Sequence, residues 1–245
     1  MPISPGPDPA VLYPDVAACG SLAAALRAAA DGCLDAVPVR SSDLVHAVVP
    51  SAVPHHEPLV IRARSWERRW SIRGTEPFQN LPLIDGTTND LAGIARAARA
   101  WHDGALLDDI RWAAPFVPLT GRLEVPDRDP ARLTESEWQS LRLEAAELEY
   151  EWQQTYQGLI EAAYAEPALR ALYPFTSHWA LRFSTTTRPD LTVVGPCLGA
   201  KGDGSYKVGR SMAQEDVGVF TTAAEAVALA VHHLPAGLPP VALGG

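Results

Sequence analysis

Apolar positions along the chain follow two rhythms, a spacing of three and four residues and a series of short runs, and the switches between them mark the predicted elements. From Ser21, LAAALRAAADG puts Leu22, Ala25, Leu26 and Ala29 on one face, behind a serine cap and ahead of Asp31-Gly32, which predicts a short helix. Residues 43–84 change to apolar runs broken by Pro and Gly (DLVHAVVP, PLVIRARSW, RWSIRG, LPLI), which predict a small antiparallel meander. GTTNDLAGIARAARAWHDG then returns to helical spacing, with Thr87 and Asp90 at capping-box separation and Leu91, Ile94, Ala95 and Ala98 on one face.

The pattern repeats near the C-terminus. HWALRFST, LTVVGPCL, SYKVG and DVGVF read as strands after residue 178, and TTAAEAVALAVHHLPAG reads as a helix capped by Thr222 with Glu225 and striped by Ala226, Leu229, Ala230 and His233. Counted from the two threonines, the acidic residue and the apolar positions fall at matching offsets, which suggests two related strand-then-helix halves. Between them Thr134 and Glu137 stand at capping-box spacing, and Trp138, Leu141, Ala145, Leu148, Trp152, Tyr156, Leu159 and Ala163 predict one long amphipathic helix, with a bend at Gly158 as one option, ending before Pro167. Its seam can pack within its own domain or form a homodimer interface. Prolines at positions 2, 5, 7 and 9 predict an extended, disordered N-terminal tail. The expected fold is α+β: a tail over 1–20, an α+β unit over 21–115, a helical insert over 116–177 and a strand-hairpin-helix unit over 178–245.

Composition narrows the function. With 47% hydrophobic and 20% charged residues in 245, a disulfide-free core is expected. The net charge of −9 disfavours general binding to nucleic acid or anionic membranes. Cys19, Cys33 and Cys197 lack C-x-x-C spacing, and no signal-peptide pattern or long apolar run occurs, so the expected location is the cytoplasm.

Several residues have chemistry at hand, each with a plainer reading beside it. Arg62, Arg64, Arg68, Arg69 and Arg73 surround Trp66 and Trp70, a mixture that can clamp a carboxylate or phosphate or stack on a base; the plain alternative is a solvated strand face paired with acidic residues. Six glutamates fall in residues 135–151, suited to docking a basic partner protein or to plain solvation. Glu144, Glu147 and Glu151 would share a helix side, but no Glu-x-x-His accompanies them, and His55-His56-Glu57 between prolines lacks a third-ligand spacing, so no metal is predicted. In YPFTSHW, Tyr173, Thr176, Ser177, His178 and Trp179 stand at the start of a strand with Arg182 three further on. They offer a substrate-binding corner with His178 as proton donor or acceptor, or else a core-plugging corner whose polar groups satisfy the backbone. Cys197 would be a nucleophile if His178 approached it, and an inert core thiol otherwise. GAKGDG lacks the phosphate-loop spacing and reads as a hairpin turn at Asp203-Gly204; no cofactor is implied.

The order TTNDLAGIARAARAWHDGALLDDI, EAAYAEPALRALYPFTSHWALRFS, a Gly-rich hairpin and TTAAEAVALAVHHLP resembles an actinobacterial family of domains of unknown function whose members are labelled natural product biosynthesis proteins. The resemblance covers about residues 57–235, is clearest at YPFTSHWALRFS, and carries no catalytic residue set. It implies a secondary-metabolite context. Two functions follow as expectations: a tailoring or accessory protein binding a small-molecule or peptide intermediate in a cleft near YPFTSHW and the Arg/Trp strand, or a non-catalytic immunity or antitoxin-like protein whose acidic helix covers a basic partner.

Overall fold

In the computed structural model, which describes residues 7–41, 43–76, 78–210 and 216–245, the chain divides into two compact units, Met1–Thr120 and Gly121–Gly245. Both combine helices with an antiparallel sheet, as an α+β fold requires. No helix among the described residues is long and apolar enough to cross a membrane.

The first unit starts with a correction. Residues 1–6 lie outside the described residues, but the rest of the expected tail forms helices α1 (Pro9–Leu12) and α2 (Pro14–Cys19). Each begins with its proline, where the fixed φ suits a first turn and the missing N–H has no helical partner to lose. Tyr13 between them is fully buried, its hydroxyl 2.7, 2.9 and 3.0 Å from the carbonyl oxygens of Arg64, Glu67 and Arg69. Helix α3 (Leu22–Ala29) has the expected Ser21 cap and buries Leu22, Ala25 and Leu26.

Strands β1 (His46–Val49), β2 (Leu59–Ala63), β3 (Trp70–Thr75) and β4 (Pro82–Thr88) then form a four-stranded antiparallel meander in sequence order. Helix α4 (Leu91–Asp103) packs on its three later strands and on α3, and α5 (Leu107–Ala113) packs on α4. The cap of α4 is Asp90, which accepts from the Ala92 N–H at 2.9 Å, because Thr87 is held in β4 opposite Ser71. Trp101 is fully buried and donates from its ring nitrogen to the Glu57 carbonyl at 3.1 Å. A Cβ on Gly74 would lie 2.7 Å from that indole, so the close approach of strand to ring requires glycine here.

In the second unit the expected single helix is two. Helix α6 (Pro130–Glu147) starts a turn earlier than predicted, capped by Asp129 with Pro130 in first position. Thr134 is therefore inside the helix, donating to the Pro130 carbonyl, and Glu137 is buried in an ion pair with Arg122 at 3.0 Å rather than closing a capping box. Helix α7 (Gln153–Ala165) follows a break at residues 148–152, not a bend at Gly158. Glu144 and Glu147 crowd the negative end of the α6 dipole, and Glu149 and Glu151 would extend that repulsion into any further turn. Trp138, Leu141, Ala145, Tyr156, Leu159 and Ala163 are buried in the unit's own core, which takes the seam away from a homodimer interface.

After α8 (Pro167–Arg170), strands β5 (Tyr173–Ser177), β6 (Ala180–Ser184), β7 (Val193–Ala200), β8 (Tyr206–Gly209) and β9 (Asp216–Phe220) form a five-stranded antiparallel meander, again in sequence order. Helix α9 (Ala223–His232) carries the predicted box: Thr222 accepts from the Glu225 N–H at 3.3 Å and donates to its carboxylate at 2.7 Å. Ala226, Val227 and Ala230 are buried, Leu229 is half-buried, and His233 is an exposed C-cap rather than part of the stripe.

Candidate functional site

The sheet of the second unit begins at Tyr173, so YPFTSHW spans a hairpin rather than the start of a strand. Ser177 pairs with Ala180, leaving His178 and Trp179 as a two-residue turn with φ of 50° and 64°. Positive φ at both positions makes a mirror-image turn that matches strand twist but normally calls for Asn-Gly. A Trp in this region is strained, and its surroundings must hold it there. They are aromatic: Trp179 meets Trp152, Tyr156 and Tyr150 at ring-centre distances of 5.3, 5.8 and 6.2 Å, while Tyr150 stacks on Trp152. Burial, aided by the Glu144 carboxylate, pushes the Tyr156 hydroxyl far above its ordinary pKa. Burial also raises Glu144, with Arg122 opposing and Glu137 adding to the shift.

The predicted site residues spread along this hairpin. Tyr173 is buried, and burial, with Glu137, raises its pKa. Tyr173 and Ser177 are four strand steps apart, about 13 Å at 3.3 Å per residue. Thr176 and Ser177 are half-buried, and exposed His178 has its Nδ1 3.4 Å from the Ser177 hydroxyl. The Arg182 guanidinium lies 5.4 Å from the centre of the Phe175 ring, its direct cross-strand neighbour. Buried Cys197 has its Sγ 3.4 Å from the Gly209 carbonyl, and among the described residues no hydrogen bond joins it to His178.

The second unit also holds a groove that the sequence reading missed. A concavity of about 870 Å³ is bounded by Ala131, Thr134 and Glu135 of α6, by α8 with Leu172, and by Val231 and the C-terminal segment Leu234–Val241. Leu172, Leu234, Leu238 and four prolines give it apolar walls. Its charged groups, Glu135 and Arg170, share a neighbour: the Tyr164 hydroxyl donates to Glu135 at 2.8 Å, and the Arg170 guanidinium stands 5.6 Å from the Tyr164 ring centre. Tyr164 is raised above its ordinary pKa, chiefly by that hydrogen bond. An amphiphilic ligand suits this chemistry, its apolar body against the walls and a polar end at Glu135 and Arg170.

In the first unit, most of the Arg/Trp segment is satisfied locally. Arg64 pairs with Glu67 at 2.9 Å, Arg69 lies 3.8 Å from the same carboxylate, and Arg68 makes a two-pronged contact with Asp15 at 2.7 and 2.9 Å. Arg68 also lies 4.9 Å from the centre of buried Trp70, whereas Trp66 is 70% exposed beside Arg64. Arg62 stands apart on β2. His56 stacks on Trp101 at 4.2 Å, which gives that imidazole a packing role. Glu144 and Glu147 lie in the last turn of α6 and Glu151 lies beyond it, so the three carboxylates do not form one helix face. The three cysteines are free thiols.

Two signals would have pointed to the groove. Asp129-Pro130 and Glu166-Pro167 are acid-proline pairs that start α6 and α8, and the acid in each accepts from a first-turn N–H. No curated protein and no solved structure matches the chain, and residues 132–245, within this unit, match the model of a family of unknown function, DUF6193.

Proposed function

We propose that this is a cytoplasmic accessory or tailoring protein of natural product biosynthesis that binds a small-molecule or peptide intermediate in the groove of its second unit. The observation that carries the reading is the groove itself, whose 870 Å³ is the size of a drug-like ligand site and whose apolar walls end at Glu135 and Arg170. The resemblance to an actinobacterial family labelled for natural product biosynthesis supplies the context, and the three free thiols suit a reducing compartment. Arg170 would hold an acid group of the ligand, and Glu135 would accept from an amide or hydroxyl.

Native mass spectrometry of tagged protein from an actinobacterial producer lysate tests this. The expected result is a retained compound on the wild-type chain that is lost from Ala168→Trp, which fills the groove from an exposed position. Equal retention by the variant would overturn the groove assignment, and a bare wild-type chain would count against stable binding.

A second reading is favoured by the exposed Glu147, Glu149 and Glu151 at and beyond the end of α6, with Glu144 a turn before: docking of a basic partner protein, as an immunity or antitoxin-like protein requires. A stoichiometric protein partner in the same experiment, released by lysine substitutions at Glu144, Glu147 and Glu151, would replace the biosynthetic reading.

A further inference from the structure

The sheet of the first unit has one face packed on α3 and α4 and a second face with its own chemistry. Strand register aligns that second face in two rows. His46, Arg62, Ser71 and Thr87 face one another across the four strands, and the next row is Val48, Val60, Arg73 and Asp85. Arg62 and Arg73 are diagonal neighbours on adjacent strands, with Cβ atoms about 7 Å apart in this geometry, so two long guanidinium side chains can close on one ion. Both are exposed, and a concavity of about 440 Å³ is lined by them together with Ser71, Thr75 and Asp85.

The contrast with the hairpin arginines is informative. Arg64, Arg68 and Arg69 all have carboxylates within 4 Å, whereas among the described residues neither Arg62 nor Arg73 makes an ion pair that close. Asp85 lies opposite Arg73 in register; burial raises its pKa, and the Arg73 charge opposes that shift. Two guanidiniums without a carboxylate within 4 Å offer more donors than a carboxylate can accept and suit three oxygens around a tetrahedral centre.

We propose that this sheet face is an oxyanion site that takes the phosphoryl group of a small molecule between Arg62 and Arg73, beside the Ser71 hydroxyl, which donates to the Arg62 carbonyl at 3.4 Å. The site is separate from the groove of the second unit, and either can fail without the other.

The test follows the arginine Nε–H signals of the full-length protein by NMR during titration with inorganic phosphate, with chloride at matched ionic strength and acetate as controls. The Arg62 and Arg73 signals should move together on one saturating curve, with acetate at least tenfold weaker. Arg62→Gln and Arg73→Gln should each weaken phosphate binding at least tenfold, while Arg111→Gln leaves it unchanged; both sites are exposed, so the amide spectrum should stay native. Shifts of all exposed arginines without saturation would reduce the site to charge screening and overturn the proposal. Acetate binding as tightly as phosphate would overturn the phosphoryl assignment.

Discussion

The two units solve the same packing problem and end differently. Each packs helices on one face of an antiparallel meander, α3 with α4 in the first and α6, α7 and α9 in the second. Measured from the observed caps, Asp90 and Thr222, the buried positions of α4 and α9 coincide at four, five and eight residues: Ile94, Ala95 and Ala98 against Ala226, Val227 and Ala230. They differ at three and seven residues, where Gly93 and Ala97 are buried but Glu225 is exposed and Leu229 half-buried, and differ most in side-chain volume at eleven. The first unit has Trp101, fully buried under Gly74, and the second has exposed His233. A Trp at that position closes the first core, whereas the second helix stops there and its chain turns into the proline-rich wall of a groove.

The largest expected effect breaks this comparison at its point of divergence. Trp101→Ala should cost the first unit about 4 kcal/mol through lost burial and cavity formation, while His233→Ala should change the second by less than about 0.5 kcal/mol, as read by denaturant unfolding. Similar costs would remove the distinction. Next in size is Gly74→Ala, which sets a methyl against Trp101 and Ile84 and should cost about 2 kcal/mol. Gly158→Ala, in mid-helix with only the end of the Tyr206 side chain close by, should be neutral or stabilising by up to about 1 kcal/mol.

Smaller effects test the shared part. Asp90→Ala and Thr222→Ala should each lower stability by about 1 kcal/mol if the two helices are capped as described, measurable as equal shifts in midpoint at constant slope. The smallest concerns pH. Asp15 is held below its ordinary value of 3.8 by its hydrogen bond to Arg68, so its contribution is complete above that value and fades as pH falls through the lowered one. Because the pair is nearly half exposed, Asp15→Asn should cost at most about 0.5 kcal/mol near neutrality. Glu144 has the opposite sign: burial raises it, so its contribution is greatest in acid and is lost as pH rises through its folded value. Stability-pH curves for Asp15→Asn and Glu144→Gln should therefore diverge from wild type in opposite directions, and a common direction would refute one assignment.

Elements whose pattern is local were legible in the sequence. The first meander, α3 and the Thr222 box follow from alternation, spacing and caps that a single segment carries. The N-terminal helices are not, because prolines 2, 5, 7 and 9 point to an extended tail, although Pro9 and Pro14 each sit in a first turn. The β5–β6 turn was hidden because His178-Trp179 lacks the Asn-Gly signature of its own geometry. The candidate sites were least legible of all. The groove gathers α6, α8 and the C-terminal segment, and its lining of Ala, Leu and Pro carries no motif, while the convergence of Arg62 and Arg73 depends on register that no single strand encodes.

The most direct test of ligand binding by the second unit is hydrogen exchange on the full-length protein with its co-purified compound retained and then stripped. The account predicts slower exchange on retention in residues 131–135, 167–172 and 231–241, with residues 43–88 unchanged. Protection confined to the first unit, or none in these segments with the compound bound, would contradict it.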